Sequence, residues 1–80
     1  MTRAEIYERL TAVFRDVFDD ESLVIGDETT ADDIDDWDSL THISLLTAVE
    51  EEFDVRFDMK AVHGLKNVGE MADLIERLQK

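Results

Sequence analysis

The stretch Trp37-Asp38-Ser39-Leu40-Thr41-His42-Ile43-Ser44-Leu45-Leu46-Thr47-Ala48-Val49-Glu50-Glu51-Glu52-Phe53 decides how this chain folds. Asp38 is a strong helix N-cap, because a short carboxylate can accept the first unpaired backbone N–H groups. At about 100° per residue, His42, Leu46, Val49 and Phe53 gather on one face, with Leu45 and Ile43 at its edges. Leu40, Thr41, Ser44, Thr47, Ala48 and Glu51 take the opposite face, which is weakly charged until Glu50-Glu51-Glu52. The pattern predicts a helix that opens at Ser39 and buries one side.

Two further helices are predicted on either side of it. Toward the N-terminus, Thr2-Arg3-Ala4-Glu5 fits a capping box, in which the N-cap hydroxyl and the third helical carboxylate satisfy each other's backbone N–H. Ile6, Leu10, Val13, Phe14, Val17 and Phe18 then recur at helical spacing, which places a helix at about 3–18. Toward the C-terminus, Asn67-Val68-Gly69-Glu70 resembles a second capping box, followed by a stripe of Val68, Met71, Leu74, Ile75 and Leu78 flanked by Lys66 and Lys80. Between the second and last helices, Asp54-Val55-Arg56-Phe57 reads as a connector. Asp58 is positioned to cap a brief helical turn through Met59, Ala61 and Val62, ended by His63-Gly64.

The segment from Asp19 to Trp37 is a long polar loop with a turn signal at Gly26-Asp27. A loop near twenty residues is unusual in a small domain, so it must be packed or functional. Leu23, Val24, Ile25, Ala31, Ile34 and Trp37 are the residues available to pack it. No segment has a convincing strand pattern. The expected fold is all-α, a small four-helix bundle of three main helices and one short one, forming a single domain over residues 1–80.

Charge and composition exclude several functions. The chain of 80 residues has a net charge of −13 and no cysteine. Without cysteine it has no disulfide frame, no thiol nucleophile and no thiolate metal site. Residues 19–58 hold fifteen acids against the single base Arg56. Such a surface repels nucleic acid, whose binding depends on neutralising phosphates, and favours partners with basic docking patches. No apolar run approaches the ~20 residues that cross a bilayer, and the start lacks a signal-peptide core. The expectation is a cytoplasmic monomer without membrane insertion. The acid-rich loop fails as a calcium loop: counted from Asp33, Trp37 stands at the fifth position, Asp38 replaces the glycine and Ser44 replaces the closing glutamate. No metal is expected.

Ser39 and His42 are the residues that invite chemistry. A hydroxyl at the first helical position lies beside unpaired N–H groups and the positive end of the helix dipole, which favours a phosphate ester. Asp35, Asp36 and Asp38 oppose a free phosphate by their own charge, an objection that a covalently attached phosphodiester avoids. Taken alone, Ser39 also reads as an ordinary helix-terminal serine. A Ser39/His42 hydrolase requires an orienting group and oxyanion donors, and neighbours three apart on one helix leave no obvious site between them. His42 is expected to be packed or partly buried, with Trp37 covering the junction of loop and helix.

Asp38-Ser39-Leu40 after a long loop, the apolar helix ending Glu50-Glu51-Glu52-Phe53, a short acid-capped turn and a final amphipathic helix together resemble the acyl carrier protein family over essentially the whole chain. The resemblance implies that Ser39 bears a covalent 4′-phosphopantetheine arm, transferred from coenzyme A by a phosphopantetheinyl transferase (holo-carrier synthase). It implies a carrier without catalysis of its own, which holds acyl groups as thioesters for fatty-acid, polyketide or related biosynthetic enzymes. The absence of cysteine then has a reason, since the working thiol belongs to the arm. Partners are expected to read Asp38, Leu40, Thr41, Ser44, Thr47, Glu50 and Glu51, with Leu40 as an apolar anchor. Ile43, Leu46 and Val62 are expected to shelter the acyl chain. Carriers of primary fatty-acid synthesis usually place acids on the second helix where this chain has Thr41 and Ser44. Trp37-Asp38-Ser39-Leu40-Thr41-His42 looks more like carriers of polyketide, peptide-type or surface-glycan acylation pathways. The alternative class is an acidic module, an inhibitor or adaptor, that binds a basic partner without covalent modification.

Overall fold

The computed structural model describes residues 2–58, 60, 62 and 65–79, and the regular structure within them is wholly helical. Helix α1 is Arg3–Val17, α2 is Ser39–Phe53 and α3 is Val68–Leu78, with one 3-10 turn, Ala31–Asp33, inside the long loop. Each main helix starts where a side chain can satisfy its orphan N–H groups. Thr2 and Glu5 form the reciprocal box on α1, with the Glu5 amide donating to Thr2 Oγ1 at 3.2 Å and the Thr2 amide to Glu5 Oε1 at 3.2 Å. Asn67 caps α3 by accepting from the Glu70 amide at 2.9 Å. The second box expected there is not closed, because the Glu70 carboxylate reaches one residue further back and accepts from the Lys66 amide at 2.8 Å.

The short helix expected after Phe57 falls largely on Met59, Ala61, His63 and Gly64, which lie outside the described residues. At its start, the Asp58 carboxylate accepts from the Lys60 amide at 3.0 Å, and the Asp58 carbonyl accepts from the Val62 amide at 3.1 Å.

The core is built from one stripe of each helix. Ile6, Leu10 and Phe14 of α1, Leu45 and Val49 of α2, and Val68, Ala72 and Ile75 of α3 have no exposed surface. Burying each large aliphatic or aromatic side chain contributes about 1.5–3 kcal/mol. On α2 the packed line is Leu45, Val49 and Phe53, at i, i+4 and i+8. This rotates the helix slightly from its expected setting. Leu45 moves from the edge to the centre, Leu46 is half-buried, and Ile43 is turned out to 65% exposure.

The long loop earns its length by packing. Ile34 and Trp37 are buried and Leu23 and Ile25 lie against the core, while Val24 points into solvent. The 3-10 turn was not expected. Its signal was Thr30 followed three residues later by Asp33, whose carboxylate accepts from the Thr30 amide at 2.9 Å. The loop also docks on the start of α3, where the Val68 amide donates to the Thr29 carbonyl at 2.9 Å and the Gly69 amide to the Asp27 carbonyl at 3.0 Å. That approach requires glycine, since a Cβ at Gly69 would lie 2.8 Å from the Asp27 carbonyl oxygen. Across the same junction the Arg3 guanidinium bridges Asp27, Asp73 and Glu76. Exposed ion pairs of this kind contribute little individually, but this set ties α1, the loop and α3 at one point.

Candidate functional site

Ser39 is the first residue of α2, and its side chain is exposed. The helix terminus around it is held by its neighbours. One oxygen of Asp38, Oδ1, accepts from the Leu40 amide at 2.9 Å and from the Thr41 amide at 3.0 Å. In return the Asp38 amide donates to Thr41 Oγ1 at 2.8 Å, and that hydroxyl donates to the Asp36 carbonyl at 2.7 Å. These amide bonds hold the Asp38 carboxyl below its usual range, because they favour its charged form. The cap leaves the Ser39 hydroxyl out of its bonding. Two N–H groups of the helix terminus are already taken by a carboxylate, so the site is poorly suited to capture a free phosphate. A group tethered through Ser39 Oγ needs no such capture.

Trp37 and His42 form a unit behind the serine. The Trp37 indole Nε1–H donates to His42 Nδ1 at 3.0 Å, and the two rings stack at 23° with centroids 5.9 Å apart. Trp37 in turn stands edge-on to Phe14 at 5.3 Å. The expected roles of these two residues, junction cover and packed histidine, describe this arrangement. Burial lowers the His42 pKa from its ordinary value by penalising the imidazolium. With Nδ1 accepting, the neutral imidazole carries its proton on Nε2. The nitrogen that a Ser39/His42 hydrolase would draw on is therefore either engaged by the indole or already protonated.

Two clefts meet at His42. One, of about 500 Å³, opens beside Ser39 and is lined by Trp37, Asp38, Leu65, Lys66, Asn67 and Met71. The other, of about 540 Å³, runs along α2 and brings together Ile43, Leu46 and Val62 with Thr47, Phe57 and Leu65. Leu65, Lys66 and Asn67 were missed as site residues by sequence reading. The only hint was a base flanking the last helix.

The expected docking face is divided by the structure. Asp38, Leu40, Ser44, Thr47 and Glu51 are exposed, Leu40 to 79%. Thr41 and Glu50 are half-buried and already committed: Thr41 closes the cap, and the Glu50 carboxylate accepts from the Phe57 amide at 2.9 Å to anchor the connector. Both keep part of their side chain at the surface beside these internal bonds. Among the described residues no cluster of three or more histidine or acidic side chains is placed to hold a metal ion, and no helix is long and apolar enough to cross a membrane.

A residue fit to the phosphopantetheine group is present in this geometry. It consists of an exposed hydroxyl at a helix start, an adjoining cleft with apolar and amide walls, and Lys66 as a cation lining that cleft. Comparison with known proteins agrees. Residues 8–75 match the family model described as a phosphopantetheine attachment site. No curated protein matches the chain significantly. Among solved structures, the chain is similar to the solution structure of a holo acyl carrier protein from Geobacter metallireducens. The two are 44% identical with a TM-score of 0.86, over 91% of this chain and 84% of the other.

Proposed function

Because the chain belongs to the phosphopantetheine-bearing acyl carrier family, we propose that Ser39 is its attachment residue and that α2 presents the loaded arm to successive enzymes. As a member of that family the chain carries a 4′-phosphopantetheine group, performs no catalysis of its own, and works with a phosphopantetheinyl transferase and with biosynthetic enzymes. The arm supplies a thiol that forms thioesters, whose carbonyls accept nucleophiles more readily than those of oxygen esters. The chain's residues supply a fixed tether and a recognition surface, and so a high effective concentration of the cargo at a docked enzyme.

The observation that carries the assignment is the Ser39 hydroxyl, exposed at the first position of α2 and left out of the cap that Asp38 and Thr41 form around it. Asp38, Leu40, Thr41, Ser44, Thr47, Glu50 and Glu51 form the docking face, with Leu40 as its apolar anchor and the acids meeting basic patches. Ile43, Leu46 and Val62 line the groove that shelters the acyl chain. Thr41 and Ser44 stand where carriers of primary fatty-acid synthesis usually have acids, which favours a specialised acylation pathway of the polyketide, peptide-type or surface-glycan kind.

Intact-mass spectrometry after incubation with coenzyme A and a broad-specificity phosphopantetheinyl transferase tests the assignment. One phosphopantetheine adduct is expected on the native chain and none on Ser39→Ala. Equal modification of both would place the arm elsewhere. An unmodified native chain would favour the non-covalent acidic module.

A further inference from the structure

The cleft beside Ser39 has a use distinct from the apolar groove along α2. Its walls combine flat apolar surface from Trp37, Leu65 and Met71 with polar groups from His42, Lys66 and Asn67. Its volume of about 500 Å³ lies within the ~300–1,000 Å³ of small-ligand sites. The groove along α2, in contrast, draws its lining mainly from Ile43, Leu46, Phe57, Val62 and Leu65. A pantetheine arm alternates amide groups with short aliphatic segments and starts from a phosphodiester. The cleft matches that sequence of chemistries, and the groove matches an alkyl chain.

The polar groups are oriented by bonds already made. Trp37 Nε1–H holds His42 Nδ1, so the imidazole can only donate through Nε2. Asn67 spends its carbonyl on the Glu70 amide, which leaves its side-chain N–H groups as donors. Lys66 brings positive charge to a rim otherwise marked by Asp38. The cleft therefore presents donors to carbonyls and a cation to a phosphodiester.

Resting on the assignment of Ser39, we propose that this cleft is a docking site for the arm on the carrier itself, in which His42 Nε2–H donates to an amide carbonyl of the phosphopantetheine. His42 is a positioning residue: it holds the arm along the α2–α3 junction and, lying at the meeting point of both clefts, directs the thiol end toward the acyl groove.

The test is nuclear magnetic resonance of the apo chain and of the holo chain prepared with coenzyme A and transferase, with the mass gain confirmed first. Cross-relaxation is expected between the arm's geminal methyls and Trp37 or Leu65, together with a shift of the Trp37 indole N–H and of His42 Nε2 between apo and holo forms. His42→Gln, which keeps a donor, is expected to retain the arm contacts. His42→Leu is expected to lose them while still gaining the adduct mass and keeping the dispersed spectrum of a folded chain. Apo–holo differences confined to Asp38, Ser39 and Leu40 would overturn the docking site, as would arm contacts to Ile43 and Val62 alone or contacts that persist in His42→Leu. A missing mass gain would overturn the attachment assignment, and the docking site with it.

Discussion

Helices α1 and α2 are each 15 residues long and both open on a capping box, yet they treat their outer faces in opposite ways. Helix α1 buries Ile6, Leu10, Val13 and Phe14 and covers its solvent side with Glu5, Glu8, Arg9 and Asp16. Helix α2 buries only Leu45, Val49 and Phe53, and leaves Leu40 and Ile43 exposed to 79% and 65%. Charged residues on an outer face keep a helix solvated and uncommitted. Exposed apolar and hydroxyl residues on α2 gain nothing for the isolated fold. The difference teaches that α1, with α3 and the long loop, is the scaffold, and that α2 divides its apolar residues between the core and the solvent-exposed surface.

Substitutions can break that division, and the largest effect is expected on the scaffold. Phe14 is fully buried against Phe18 and Trp37. Phe14→Ala is expected to cost about 3–5 kcal/mol of stability, as large aromatic truncations in cores do. Urea denaturation checks it; a loss below about 1 kcal/mol would mean that the core is not shared as described.

Gly69→Ala is expected to come next, at about 1–3 kcal/mol, because the new methyl must push against the Asp27 backbone rather than a movable side chain. The loop from Gly26 to Thr29 should lose amide protection more than α2 does. Hydrogen exchange that stayed uniform would contradict the docking of this loop on α3.

A smaller, pH-dependent effect should mark the junction between scaffold and site. The folded His42 pKa lies below its ordinary value of 6.5, so the folded state binds its proton less readily than the unfolded chain does. Stability from this residue is therefore complete above pH 6.5 and is lost as the pH falls through the depressed value. Thermal unfolding between pH 7.5 and 5 is expected to show this decline, flattened in His42→Gln. An unchanged slope in the variant would remove His42 as its source.

The smallest effect on stability is expected on the outer face of α2. Leu40→Ala should change stability by no more than about 0.5 kcal/mol, as exposed surface substitutions usually do, while slowing modification by the transferase. Equal rates for the two proteins would deny Leu40 its role as anchor.

Local signals carried much of this architecture. Thr2 with Glu5, Asp38 before Ser39, and Asn67 mark the three helix starts, because capping is written in residues adjacent in sequence. The setting of α2 about its axis was not legible in the same way. Leu45 and Leu46 are equivalent by composition, and only packing against α1 selects Leu45 for the centre. Thr41 and Glu50 looked like free polar surface until the structure showed what each one accepts from, Asp38 and Phe57 respectively. The cleft beside Ser39 joins residues 37–42 to residues 65–71 across the fold. No periodicity within one helix announces such a meeting.

The central claim is that one hydroxyl at the start of α2 tethers the arm. Fragmentation mass spectrometry of the modified native chain, after proteolysis, locates the adduct directly. The account predicts phosphopantetheine on Ser39 alone, with Ser22 and Ser44 unmodified. An adduct on either of those serines, or on any threonine, would contradict it.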